Sequence, residues 1–252
     1  MRGLRAASLH FFHGHLGIEP RWKVFSDLKI KRVETLPVVL SREEVRDLLG
    51  RIDQIRYHTP LALIYATGLR VSEACRLEVT DIDAKAGRLL VRNGKGQKSR
   101  FVPLGPAMIK RLRFWWQCHR NPRFLFPAVG SGWRKAKRTT PAAQFRARCE
   151  VMRKAERAMT PYGVQEAMRF AVRSSGLKKK ASVHTLRHCF ATHLLEDGVS
   201  IRLISAYLGH ATLQTTLKYV HLTAITEETT KTAMASLFDQ VIAPTLGDGE
   251  PV

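Results

Sequence analysis

Apolar residues recur at helical spacing over most of the chain, and polar capping residues divide them into short elements. Ser41-Arg42-Glu43-Glu44 is a capping box ahead of the stripe Val45, Leu48, Leu49, Ile52. Pro60 to Thr67 reads as an apolar helix ended by Gly68, and Ser72 can cap a short helix after it. Arg88 to Arg92 and Ser99 to Leu104 are β-prone runs on either side of the turn Asn93 to Lys98, the pattern of a hairpin. Pro106 to Gln117 predicts a helix with Phe114, Trp115 and Trp116 partly in the core. A basic helix follows over Ala142 to Met159, and Tyr162 to Ser175 continues helically. Three more helices are predicted: Thr185 to Glu196, stopped by Asp197-Gly198; Ser200 to Leu208, stopped by Gly209; and Leu213 to His221, capped by Thr212. The fold class is therefore mainly α with a small antiparallel β-hairpin.

Beyond these elements the pattern weakens. Residues 1–18 carry only a partial stripe (Leu4, Leu9, Phe12, Leu16), and 19–40 read as a basic, extended linker bounded by proline. After His221 an imperfect stripe (Ile225, Thr229, Met234, Leu237, Phe238) leads to a polar tail over 241–252. No apolar run approaches the length of a membrane span, and Arg5, His10, His13 and His15 interrupt the N-terminus before a signal peptide could form. The expectation is a soluble cytoplasmic protein. Cys75, Cys118, Cys149 and Cys189 are widely spaced and read as reduced thiols.

Charge sharpens this picture. The net charge is +21, and residues 85–180 alone hold 25 Lys and Arg against Glu150, Glu156 and Glu166. Ordinary surfaces mix signs, so one block of unbalanced positive charge suggests a polyphosphate partner.

Several polar residues fall outside the apolar stripes. His184, Arg187, His210 and Tyr219 lie at or beside helix ends, where segments can converge. No carboxylate stands between His210 and Tyr219, so nothing there suggests a metal cage, and guanidinium and imidazole donors suit phosphate oxygens. Arg70 occupies the tight connection after the apolar helix; it is either paired with Glu73 or aimed at a ligand. Lys95 stands between two glycines at the hairpin tip. Tyr207 is a competing phenol, but it shares its helix with Ile201, Ile204 and Leu208. His13-Gly14-His15 only faintly suggests the paired histidines of metal-dependent nucleases.

H-T-L-R-H-C-F-A-T-H-L from His184, then Leu208-Gly209-His210, then Tyr219 resembles the C-terminal signature of the tyrosine recombinases. A-T-G-L-R-V-S-E-A around Arg70 resembles the same family's first arginine box, and G-K-G-x-K-x-R-x-V-P-L from Gly94 resembles its β-hairpin. The resemblance implies a catalytic domain of that family over 41–240, preceded at 1–18 by the last helix of a separate DNA-gripping domain. It implies the catalytic set Arg70, Lys95, His184, Arg187, His210 and Tyr219, with Glu73 orienting an active-site group. Tyr219 would attack a phosphodiester to give a 3′-phosphotyrosyl link without metal or ATP, His184 serving as base or its helper and Lys95 as acid. No cofactor and no small-molecule substrate are implied. Double-stranded DNA in the nucleoid is the implied partner, with self-association into a synaptic tetramer. Lys98, Arg100, Arg134, Lys135, Lys137, Arg138, Lys178, Lys179 and Lys180 are expected to bind its backbone. A DNA-binding module without productive catalysis, or relaxation of DNA in the manner of type IB topoisomerases, are the alternatives.

Overall fold

The computed structural model describes residues 37–92, 99–130, 140–210, 212–217, 219 and 220, all within one compact unit, Leu36–Val252. The expectations for 1–36, Lys95, Lys98, Arg134, Lys135, Lys137, Arg138 and everything after 220 lie outside these residues.

The helix α1 (Arg42–Gly50) begins as its sequence dictates: Glu44 N–H donates to Ser41 Oγ, and Ser41 N–H donates to the Glu44 carboxylate at 2.7 Å. The helix α2 (Ile55–Thr67) starts a turn and more before the predicted Pro60. Proline cannot donate to a carbonyl four residues back, yet this costs only one bond where tertiary burial holds the helix. That burial is extensive, since Leu61, Leu63 and Ile64 are inaccessible to solvent. The helix is the hub of the unit, packing on α1 and on α4, α6 and α7, described below.

Gly68 ends α2 at φ +65°, a left-handed conformation that glycine adopts without strain. A Cβ there would stand 2.4 Å from a ring carbon of Phe190 and 2.8 Å from Leu208. The turn is thus fixed by backbone shape and by packing together. The short α3 (Val71–Cys75) follows, with Arg70 rather than Ser72 as N-cap; Arg70 N–H donates to the Glu73 carboxylate at 2.9 Å.

The hairpin forms as β2 (Arg88–Val91) and β3 (Arg100–Pro103), antiparallel, with Leu89 opposite Val102. A two-residue strand, β1 (Ile82–Asp83), adds to β2 and makes a three-stranded sheet. It is too short to carry an alternation that a sequence could reveal. In α4 (Pro106–His119) the three adjacent aromatics divide: Trp115 is buried with its indole N–H on the Leu125 carbonyl, whereas Phe114 is 58% exposed. Consecutive helical residues point about 100° apart, so three in a row cannot share one core face.

The stretches predicted helical, Ala142 to Met159 and on from Tyr162 to Ser175, form two separate helices, the first ending at Arg153. One is α5 (Pro141–Arg153), capped by Thr140, and the other is α6 (Pro161–Ser175). Between them Pro127 and Ala158 form an isolated bridge. Pro161 is at home in a first helical turn and cannot continue a helix from Met159.

The C-terminal helices are α7 (Val183–Glu196), α8 (Ile201–Leu208) and α9 (Gln214–Leu217). The last is shorter than the predicted Leu213 to His221, and Tyr219 lies in a turn beyond it, its N–H on the Thr216 carbonyl. Phe190, Ala191, Ile204, Leu208 and Tyr219 form a small apolar cluster apart from the main core. Among the described residues no helix is long and apolar enough to cross a membrane, and the four cysteines are free thiols.

Candidate active site

The site forms where the C-terminal ends of α2 and α8 meet the first turns of α7. Its centre is Arg187, which is 2% exposed. Its two terminal nitrogens donate to main-chain carbonyls at opposite ends of the cup, one to Gly68 at 2.6 Å and the other to Leu208 at 2.7 Å. Both carbonyls terminate helices, where no intrahelical donor remains and the helix dipole is negative. Burial first, and then the charge of Arg70, lower the Arg187 pKa to about 10, so it stays cationic at neutral pH.

Glu73 is the anionic counterpart. Its carboxylate receives Arg70 Nη1 at 2.8 Å and Arg100 Nη2 at 2.8 Å. The two readings of Arg70, paired or poised, are compatible: it is paired with Glu73 and its side chain remains 27% exposed. Arg100, expected on the DNA-binding surface, is instead only 10% exposed. Its Nε donates to the Tyr207 carbonyl, and Gly209 leaves it room, since a Cβ there would stand 2.9 Å from its guanidinium. Two arginines thus hold one carboxylate, with the Arg187 charge close enough to feel it, and the excess positive charge suits a phosphate diester.

Burial alone would raise the Glu73 pKa, but the hydrogen bonds from Arg100, from the Arg70 backbone and from the Arg70 side chain outweigh it and hold the group below the usual carboxylate range. A lowered folded-state pKa contributes stability above the unfolded value of about 4.3, and loses it as pH falls through the folded value. Glu73→Gln should therefore destabilise by on the order of 3 kcal/mol at neutral pH, because two guanidiniums lose their partner. Thermal melts should show a constant gap from wild type above about pH 5, narrowing in acid. A gap that widens in acid would contradict the pairing.

Of the six described histidines, His58 lies against Arg111, Nδ1 to guanidinium at 2.6 Å, and the other five fall into two groups. His193 and His119 are core residues: His193 lies between the Tyr65 hydroxyl and the Leu40 carbonyl, and burial takes His119 to a pKa of about 4. The other three line the cup. His210 Nδ1 contacts the Thr216 hydroxyl at 2.8 Å, which fixes its ring. His184 is exposed and meets His188 edge-on, ring centres 4.6 Å apart. His188 Nδ1 lies 2.9 Å from the Tyr219 hydroxyl. On sequence alone His188 reads as a hydrogen-bonded core imidazole, although His184 and His188 are four apart and must share a helix face.

Tyr219 is 1% exposed, and burial raises its pKa while Arg187 opposes that rise. The phenol and the guanidinium are near enough to perturb each other's ionisation. Arg70, Glu73, His184, Arg187, His210 and Tyr219 are thus gathered by the ends of α2, α7, α8 and α9. Lys178 and Lys180 are exposed, and Lys179 pairs with Glu44 at 2.7 Å. A cavity of about 650 Å³ bounded by Tyr57, Tyr162 and Phe170 lies elsewhere and includes none of the site residues. Among the described residues no three His, Cys, Asp or Glu side chains gather as a metal site would require.

This arrangement defines a class. Residues 38–225 match the phage integrase family, and the chain belongs to it. It is 37% identical over 194 residues to the tyrosine recombinase XerA of Pyrococcus furiosus, covering 76% of this chain and 59% of that one. The tyrosine recombinase XerC of Anoxybacillus flavithermus is 36% identical over 199 residues, covering 77% and 60%. The chain thus spans about three fifths of the length of these Xer relatives. Among solved structures, XerA recombinase has a similar fold (TM-score 0.58, 23% identity, 93% of this chain and 73% of that one). So does a λ integrase dimer bound to a core site (TM-score 0.62, 16% identity, 86% and 70%).

Proposed function

We propose that the protein is a site-specific DNA recombinase that cuts and rejoins strands through a 3′-phosphotyrosyl intermediate, using neither metal nor ATP. The observation that carries this reading is the convergence of Tyr219 with Arg187 and Arg70 in a cationic cup. Family membership and the DNA-bound λ integrase neighbour support it.

In this reading Arg70 and Arg187 hold the non-bridging oxygens of one phosphate. Arg187 has five N–H donors, and its two described bonds to main-chain carbonyls leave others for the substrate. His210 adds a donor, and the guanidiniums offset charge on the pentacoordinate phosphorus, as a metal would elsewhere. Tyr219 attacks, a 5′-hydroxyl departs, and the covalent link conserves the bond energy for rejoining. Lys95 is the acid that the family resemblance implies for the departing oxygen. The basic block, including Lys178 and Lys180, tracks the backbone and gives affinity without base readout. Residues 41–240 form the catalytic unit, and assembly into a synaptic tetramer on nucleoid DNA pairs the two sites to be joined.

The burial of Tyr219 in an apolar cluster favours a second reading, a DNA-binding module whose phenol stays silent. Nicked duplexes of randomised sequence, offered in EDTA, separate the two. Recombinase chemistry gives an adduct that survives denaturation and a freed 5′ end that polynucleotide kinase labels directly. Retarded DNA with no adduct supports the binding module, and adducts with relaxation at every sequence support topoisomerase-like action.

A further inference from the structure

Resting on the phosphotyrosyl reading, we infer that His188, rather than His184, accepts the proton of the Tyr219 hydroxyl as the phenol attacks phosphorus. Three observations carry this. His188 Nδ1 is 2.9 Å from that hydroxyl, within direct transfer distance. His184 meets His188 edge-on, ring centres 4.6 Å apart, which places it to steady that ring. Tyr219 is also withdrawn from solvent, so its proton must pass to a protein group or to a water admitted later.

The step balances. The Oη–H bond breaks and its proton goes to Nδ1, with the second imidazole proton already on Nε2. The Oη–P bond forms and the P–O5′ bond breaks. The departing O5′ takes a proton from a different donor. On rejoining, His188 returns its proton to Oη. Among the described residues, the charged and titratable groups around the pair include His184 on the same helix and Arg187 beside it, with Arg70, Arg100 and Glu73 acting through Arg187. Arg187 favours the phenolate electrostatically, while the imidazole supplies the acceptor.

A neutral imidazole can accept a proton near neutral pH, where burial keeps the Tyr219 phenol protonated. His184 would then be a positioning residue: its ring edge limits rotation of His188 and keeps Nδ1 on the hydroxyl. That division of labour makes the two histidines separable by experiment.

The hydrogen bond is tested on the DNA-free protein carrying [13Cζ]tyrosine. The Tyr219 resonance, identified by its loss in Tyr219→Phe, should shift as pH passes through the imidazole range. The shift should vanish in His188→Asn and persist in His184→Asn. A Tyr219 resonance indifferent to His188 would overturn the inference.

Proton transfer is tested by adduct formation on nicked duplexes of randomised sequence. His188→Asn and His188→Gln should slow it by about 10²- to 10⁴-fold, and the ascending limb of the pH–rate profile should disappear. Sulfur in place of the bridging O5′ departs without a proton, so it should not rescue these variants, although it rescues loss of an acid. Wild-type rates in His188→Asn, or rescue by sulfur, would overturn the base role. Absence of adduct with the wild-type chain would instead overturn the recombinase reading, and the base role with it, while the resonance experiment still decides the contact.

Discussion

Arg187→Ala should abolish strand cleavage and also lower the stability of the unit by about 3–5 kcal/mol, the range for breaking a buried charged group's partnerships. From its sequence position this residue is expected to be a phosphate ligand whose loss should reduce DNA binding only modestly. The structure adds a second duty. Its guanidinium ties the Gly68 carbonyl to the Leu208 carbonyl, joining the ends of α2 and α8 beneath the cup. Alanine strands both carbonyls and leaves a cavity in a side chain's place, each a named source of large losses. Arg187→Lys separates the duties, since one ammonium cannot span two carbonyls and also present a fork to phosphate. Urea melts should give Lys a smaller loss than Ala, while both variants fail to form adduct. A midpoint for Arg187→Ala equal to wild type would show that the guanidinium does not hold the helix ends.

Tyr219→Phe should have the opposite profile: no adduct, and nearly the wild-type fold. The ring keeps its place among Phe190, Ala191, Ile204 and Leu208, so the apolar contacts persist. The hydroxyl's hydrogen bond with His188 is lost, at about 1 kcal/mol. DNA retardation should change little, because the phosphate-gripping donors remain. A folded Tyr219→Phe protein that still forms adduct would place the nucleophile elsewhere.

Much of this site was legible in the sequence because helix ends announce themselves. Ser41 with Glu44, Gly68 and Gly209 mark boundaries through local chemistry, and local chemistry is what a sequence displays. The polar residues that broke the apolar stripes, Arg70, His184, Arg187, His210 and Tyr219, are the ones the fold gathers. Four features were hidden, each for a tertiary reason. Pro60 sits inside α2 because burial on all sides outweighs one missing hydrogen bond. Arg100 looks like one more cation of a basic block until Glu73 and the Tyr207 carbonyl are seen around it. His188 looks like a core imidazole until Tyr219 is placed 31 residues later beside it. The shortness of α9 frees Tyr219 from a helix face, which periodicity could not anticipate.

Arg100 also explains why basic charge alone misleads about binding. It contributes to the count in residues 85–180, yet it serves the architecture by linking β3 to the end of α8 through one carbonyl and to α3 through Glu73. Lys178 and Lys180, of the same block, are exposed instead.

The most direct test of the whole account is to digest the covalent DNA adduct with trypsin and locate the nucleotide by mass. Cleavage after Lys218 divides the two candidate phenols, Tyr207 falling in Leu203–Lys218 and Tyr219 in Tyr219–Lys231. The account requires the phosphate on Tyr219–Lys231; a nucleotide on Leu203–Lys218, or on any peptide lacking Tyr219, would contradict it.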